Sequence, residues 1–161
     1  MPAQLLTLSF SGALLLKRGF WLYVWKVTAD QERLFYYIGR TGDSSSLNAQ
    51  SPFARISAHL GGNKNSNALR RHFQAKQVSL EDAPKLELVA YGPIFEEAEN
   101  EQDHRRRRDK VAALERRLCD QMRAAGYSVI NEVSSRKELD RSAWQNVQKA
   151  FVQHFPKLRE G

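Results

Sequence analysis

A chain of 161 residues and 18.5 kDa is one domain's worth of polypeptide, enough for a single core and too short for two. Apolar residues at 42% and charged residues at 27% are an ordinary globular mix, which argues against a disordered chain, and the single cysteine excludes a disulfide framework or a thiolate zinc cluster and fits a reducing cytoplasm. Lys and Arg number 25 against 18 Asp and Glu, a formal charge of +7 that points toward polyanions such as nucleic acid or an acidic membrane.

The chain opens on an apolar run, LLTLSFSGALLL, ahead of its first charges at Lys17 and Arg18. A secretory signal carries its positive charge before the apolar stretch. Interrupted by Thr7, Ser9, Ser11 and Gly12, the run also falls short of the roughly 20 residues that span a bilayer. A packed N-terminal element in a soluble, cytoplasmic protein is expected.

From Phe20 to Val27 the aromatic and β-branched sequence FWLYVWKV predicts a strand, and LFYYIG from Leu34 to Gly39 predicts its hairpin partner. The polar loop RTGDSSSLNAQ ends at Ser51-Pro52, a capping residue before a proline at the first helical position. The helix FARISAHL follows and is expected to stop at Gly61-Gly62 in a left-handed terminator. A second short helix from near Ser66 carries Ala68, Leu69, His72 and Phe73 at helical spacing. Lys85 to Tyr91 alternates apolar and polar residues as a third strand, closed by Gly92-Pro93. A long helix is expected from about Glu96 to Ala125, with Val111, Leu114, Leu118 and Met122 on its apolar face and Gly126 as its stop. Tyr127 to Asn131 is a short extended segment. A last amphipathic helix from about Arg141 to Phe155 buries Trp144, Val147, Phe151 and Phe155 and ends at Pro156. The fold class is therefore α/β (α+β), a small three-stranded, mainly antiparallel sheet flanked by helices in the order β-β-α-α-β-α-α, as a single domain over residues 1–161.

Four features have chemical potential. Period-two alternation puts Tyr23, Trp25 and Val27 on one strand face, and Tyr37 with Gly39 on one face of its partner. Arg55 and His59, four apart, share a helical face. Glu115 sits in A-A-L-E-R-R-L beside apolar positions. Taken singly, each has a plain alternative: core aromatics, a solvated Arg–His pair and a surface Glu–Arg pair.

Taken in order, these residues resemble the GIY-YIG nucleases. The second motif of that family is matched by Tyr37-Ile38-Gly39, followed by Arg40-Thr41-Gly42-Asp43. Leu22 and Tyr23 stand where the family has an apolar residue and its first tyrosine; Trp21 replaces the glycine, and Trp25 is the competing alignment. F-A-R-I-S-A-H-L supplies Arg55 and His59, a pairing also seen in the restriction-enzyme branch. A-L-E-R-R-L supplies Glu115 as the metal-binding glutamate, with Glu96, Glu97, Glu99 and Glu101 as rival carboxylates, and Asn131 matches the asparagine that closes the core. The resemblance covers residues 20–132, leaving an apolar flank at 1–19 and a C-terminal amphipathic helix within 133–161.

This likeness implies a metal-dependent endonuclease that hydrolyses DNA phosphodiester bonds, with Tyr23, Tyr37, Arg55, His59 and Glu115 as catalytic residues. Glu115 would hold Mg²⁺ or another divalent cation such as Mn²⁺; a single carboxylate suffices because Mg²⁺ keeps most of its waters and takes phosphate oxygens as ligands. Tyr23 would lie near the nucleophilic water, Tyr37 against the phosphate or that water, and His59 is better matched than a phenol to base chemistry at neutral pH. Arg55 offers a fork-shaped permanent charge for phosphate oxygens.

Arg40, Arg70, Arg71, His72 and Lys76, with Arg105 and Arg106 from the run Arg105–Arg108, are candidates for contacts to double-stranded DNA. Consecutive residues are fanned about 100° apart around a helix, so the four arginines cannot all face one groove. Specificity must come from loops such as residues 40–50, from the charged stretch before Glu115, or from a homodimer. Two rival readings stand beside the nuclease: a domain of this fold that binds nucleic acid without catalysis, and a basic protein- or RNA-associated module whose aromatics are all core. In the last, Glu115, Arg55 and Tyr37 would not converge on one cleft.

Overall fold

The computed structural model describes residues 3–44, 46–61 and 67–160. Its centre is the aromatic strand β1 (Phe20–Thr28), antiparallel to β2 (Leu34–Arg40) on one side and to β3 (Lys85–Phe95) on the other, so that the sheet order is β2-β1-β3. A central strand must bury both faces, and alternation sorts its side chains accordingly. Phe20, Leu22 and Val24 join Tyr36 and Ile38 in one core cluster, while Tyr23, Trp25 and Val27 join Tyr37 in another.

Each face has its own helices. Helix α1 is the short Gly12–Leu16 turn; α2 (Pro52–Leu60) and α3 (Ala68–Ala75) cover the Tyr23–Trp25 face through Ile56, Leu60, Leu69 and Phe73. Helices α4 (Glu101–Ala124) and α5 (Arg141–Phe151) cover the other through Val111, Leu114, Leu118, Met122, Trp144, Val147 and Phe151. The expected α/β class and element order hold, with a wholly antiparallel three-stranded sheet and α1 added in the N-terminal flank.

Several boundaries move for identifiable reasons. Strand β3 runs through Gly92-Pro93 to Phe95, because the pairing shifts between Leu22↔Tyr91 and Phe20↔Phe95. A bulge is where a sheet tolerates proline, and the Trp21 ring occupies the space a Cβ on Gly92 would need. Helix α4 starts five residues later than expected, at Glu101, capped by Asn100 Oδ1, which accepts from Asp103 N at 2.9 Å. Glu96 and Glu97, ahead of the cap, pair instead with Lys17 and Arg18. Ser51 caps α2 as expected, but Gly61 has φ −63° and ψ 162°, so that helix leaves into extended rather than left-handed backbone; Gly62 and the expected helix start near Ser66 lie outside the described residues. Asn67 caps α3. Helix α5 ends at Phe151, although Phe155 is still buried in the core.

The expectation of a packed N-terminal element is corrected. Leu5 is 96% exposed and Leu6, Leu8, Phe10, Leu14 and Leu16 are all exposed, with α1 resting on α2 and Phe10 meeting Phe53 edge to face. A five-residue helix has one narrow stripe to bury, and α2 already spends its apolar side on the sheet. Among the described residues no helix is long and apolar enough to cross a membrane.

Candidate active site

The hairpin register brings the two tyrosines of interest together. Tyr23 pairs across the sheet with Gly39, and a Cβ at Gly39 would overlap the Tyr23 phenol. The glycine of Tyr37-Ile38-Gly39 is thus a gap that lets the phenol of Tyr23 lie flat over β2. Tyr23 and Tyr37 are both buried on this face, and the charges of Arg55 and Glu115 act on both. Trp25, one alternation further along β1, points its indole at His59 and lines an apolar groove with Leu86, Leu88 and Ala90. Between the two alignments for the first tyrosine, Tyr23 is the residue set among the charged groups.

Helix α2 contributes Arg55 and His59 on one face, as their spacing demands. Arg55 Nη2 donates to Asp43 Oδ1 at 2.6 Å, which ties the helix to the loop that follows β2. The His59 ring lies edge-on to Tyr23 and Tyr37, with centroids 5.6 and 5.9 Å away. Helix α4 delivers Glu115 from the opposite side, and Arg40 Nε at the end of β2 donates to Glu115 Oε2 at 2.8 Å.

Tyr37, Arg40, Asp43 and Glu115 open onto one cleft of about 520 Å³. Its far wall is the segment after Asn131, including Ser134, Arg136 and Lys137. Asn131 sets that wall: its Oδ1 accepts from Ile38 N at 3.0 Å and its Nδ2 donates to Ile38 O at 2.7 Å, next to the backbone bridge between Tyr36 and Val129. Arg40 Nη1 and Arg55 Nε are buried donors with no acceptor among the described residues. Buried guanidinium groups left with spare donors favour an anion with several oxygens.

Burial dominates the site's titration. It pushes the Glu115 carboxyl up to about 7, against the opposing pull of Arg40. It pushes Tyr37 up to about 12, with the Glu115 charge adding to the effect, and holds Tyr23 well above the usual phenol range although Arg55 counteracts it. Burial, aided by the Arg55 charge, lowers His59 to about 4, so its imidazole is neutral at physiological pH.

Among the described residues there is no group of three or more metal-ligating side chains. Asp43, Asp109, Glu115 and Glu132 do line the cleft, and the Glu115 side chain is less exposed than those of Asp43 and Asp109. That donor set suits a hard cation held by one or two carboxylates and completed by water and phosphate, and does not suit an all-protein cage. The rival carboxylates lie elsewhere: Glu96, Glu97 and Glu101 pair with Lys17, Arg18 and Arg105, and none of the four lines the cleft.

The cationic candidates divide. Arg40 lines the cleft, and the Arg71 charge acts on Tyr37. Arg70 binds Glu81 and donates to Leu60 O at 3.0 Å, which makes it a brace between α2 and α3; Lys76 is exposed at the end of α3. Arg105 and Arg106 form pairs with Glu101 and Asp103 on the outer side of α4, whereas Arg108 from the same run reaches the cleft. Arg136 and Lys137 were not among the sequence candidates; the only sign of them is a short basic stretch, S-S-R-K, directly after the core-closing segment. No protein-family model, curated protein or solved structure matches the chain.

Proposed function

We propose that this protein is a GIY-YIG-type endonuclease, dependent on a divalent cation such as Mg²⁺ or Mn²⁺, that hydrolyses phosphodiester bonds in DNA. The observation that carries this reading is the meeting of Tyr37, Arg40, Asp43 and Glu115 in one cleft, with Arg55 joined to it through Asp43 and Tyr23 beneath it on Gly39. Phosphodiester hydrolysis needs an oriented water, charge relief on the phosphate and support for the leaving oxygen. Arg55 and Arg40 carry permanent charge, and each has a buried N–H without an acceptor among the described residues, which supports a role in charge relief on the phosphate. Tyr23 and Tyr37 are neutral phenols at physiological pH and orient a water or a phosphate oxygen by hydrogen bonding; added positive charge in the cleft would draw their pKa values down. Glu115 would hold the cation, whose charge would offset that of the phosphate in the transition state.

One observation favours a second reading, nucleic-acid binding without catalysis: the Glu115 carboxylate is already engaged by Arg40. Plasmid nicking in Mg²⁺ separates the two. Glu115→Ala and Arg55→Ala should each slow nicking by about 100-fold or more. Cleavage retained in both variants removes the nuclease assignment, and DNA binding without cleavage by the unaltered chain selects the second reading.

A further inference from the structure

His59 is held at both ring nitrogens by β1. Trp25 Nε1 donates to His59 Nδ1 at 2.9 Å, and His59 Nε2 lies 3.5 Å from Tyr23 Oη. An indole N–H only donates, so Nδ1 must present its lone pair, and in a neutral imidazole the ring proton must then sit on Nε2. We infer that Trp25 is a positioning residue that fixes His59 as the Nε2–H tautomer, so that His59 donates a hydrogen bond to the Tyr23 phenol oxygen and does not take its proton.

Two consequences follow from the same geometry. The Tyr23 O–H, having no acceptor at His59, is directed away from it. Protonation of His59 would set an Nδ1–H against the Trp25 N–H, two donors facing each other, which opposes the charged ring in addition to burial. The charged and titratable groups around the ring are Arg55 on its own helix, Asp43 in the loop, Tyr23 on β1 and Tyr37 on β2. Arg55 also disfavours the imidazolium, and Asp43 pulls the other way while paired to Arg55. A contact of 3.5 Å is the long limit of a hydrogen bond, and catalytic contacts of this kind shorten when substrate is bound. The inference rests on the nuclease reading for its catalytic meaning, but not for its structural content.

The test is nitrogen-15 NMR of the full chain, reading the two His59 ring nitrogens between pH 5.5 and 8, together with the nicking rate of Trp25→Phe. In the unaltered protein Nδ1 should resonate as a bare nitrogen and Nε2 as a protonated one across that whole range. An Nδ1–H tautomer, or a His59 titration near 6.5, overturns the proposal without any variant being made. Trp25→Phe keeps an aromatic ring but removes the donor, and should give a tautomer mixture and a His59 titration moved upward. Its kcat for nicking should fall about 10-fold with KM for DNA unchanged, as for other groups that orient a catalytic side chain. A locked tautomer with unchanged kcat in the variant overturns the positioning role. Absence of nicking by the unaltered chain removes the nuclease reading instead, and the NMR result tells the two failures apart.

Discussion

Two side chains at the site titrate in opposite senses, and their effects on stability oppose each other. Glu115 is raised from 4.5 to about 7, so the folded state binds its proton more tightly than the unfolded chain does; its contribution is full below 4.5 and is lost as pH rises through 7. His59 is lowered from 6.5 to about 4, so its contribution is full above 6.5 and is lost as pH falls through 4. Each shift corresponds to about 3 kcal/mol over its window. Between pH 4.5 and 6.5 the two slopes cancel in the native chain. Urea denaturation at several pH values should therefore show Glu115→Gln gaining stability relative to wild type as pH rises, and His59→Phe losing it. Parallel curves for wild type and both variants would show that neither group is perturbed as described. Under the proposed function, the cost of ionising Glu115 is one that a bound cation would offset.

At the scale of elements, the sheet edge is finished by a segment with little regular structure of its own. Residues 127–131 lie parallel to β2, bridging at Tyr36 and Val129, and the Asn131 side chain makes both hydrogen bonds of a missing strand neighbour to Ile38. Arg123 Nη2, at 2.7 Å, and Cys119 Sγ, at 3.4 Å, both donate to Asn131 O, which fastens the segment to α4. Asn131→Ala would leave the buried N–H and C=O of Ile38 unpaired, at a cost of about 3 kcal/mol. It would also release the wall of the cleft, so urea midpoints should drop and DNA affinity should weaken together. A variant that loses stability but keeps its DNA affinity would show that the wall does not bind DNA. The hairpin faces and the α4 apolar stripe were readable in the chain because period is a local property, and the asparagine was picked out only through the family resemblance. The continuation of β3 past Gly92-Pro93 was not, because the bulge that admits the proline is made by the facing residues of β1.

Across the whole molecule, the excess positive charge is sorted by which side of α4 it falls on. Arg105 and Arg106 pair with Glu101 and Asp103 and do not line the cleft, whereas Arg108, itself paired with Asp109, lines it together with Arg40, Arg136 and Lys137. If the cleft grips DNA, Arg108→Ala and Arg136→Ala should each lower the slope of log affinity against log salt by about 0.9. Arg105→Ala should leave it nearly unchanged. Equal effects from all three, measured by titration into a labelled duplex, would assign binding to diffuse charge instead of the cleft. A net charge of +7 says that a polyanion is favoured and leaves open where it would lie.

The sequence by itself determined the strand faces, the helix cap at Ser51, the stop at Gly126 and the α/β order, and through short motifs of a family resemblance it supplied Tyr23, Tyr37, Arg55, His59 and Glu115 as candidates. Each of those depends on periodicity or on short motifs, which act over a few residues. The tertiary structure alone decided which groups meet. Arg40 and Glu115 are 75 residues apart and share an ion pair; Trp25 and His59 are 34 apart and share a hydrogen bond. It also chose Tyr23 over Trp25 beside the charges, left the N-terminal leucines exposed, and built the cleft wall from residues 131–137. Pairings of that kind depend on how two packed elements are placed against each other, and no local pattern carries that information.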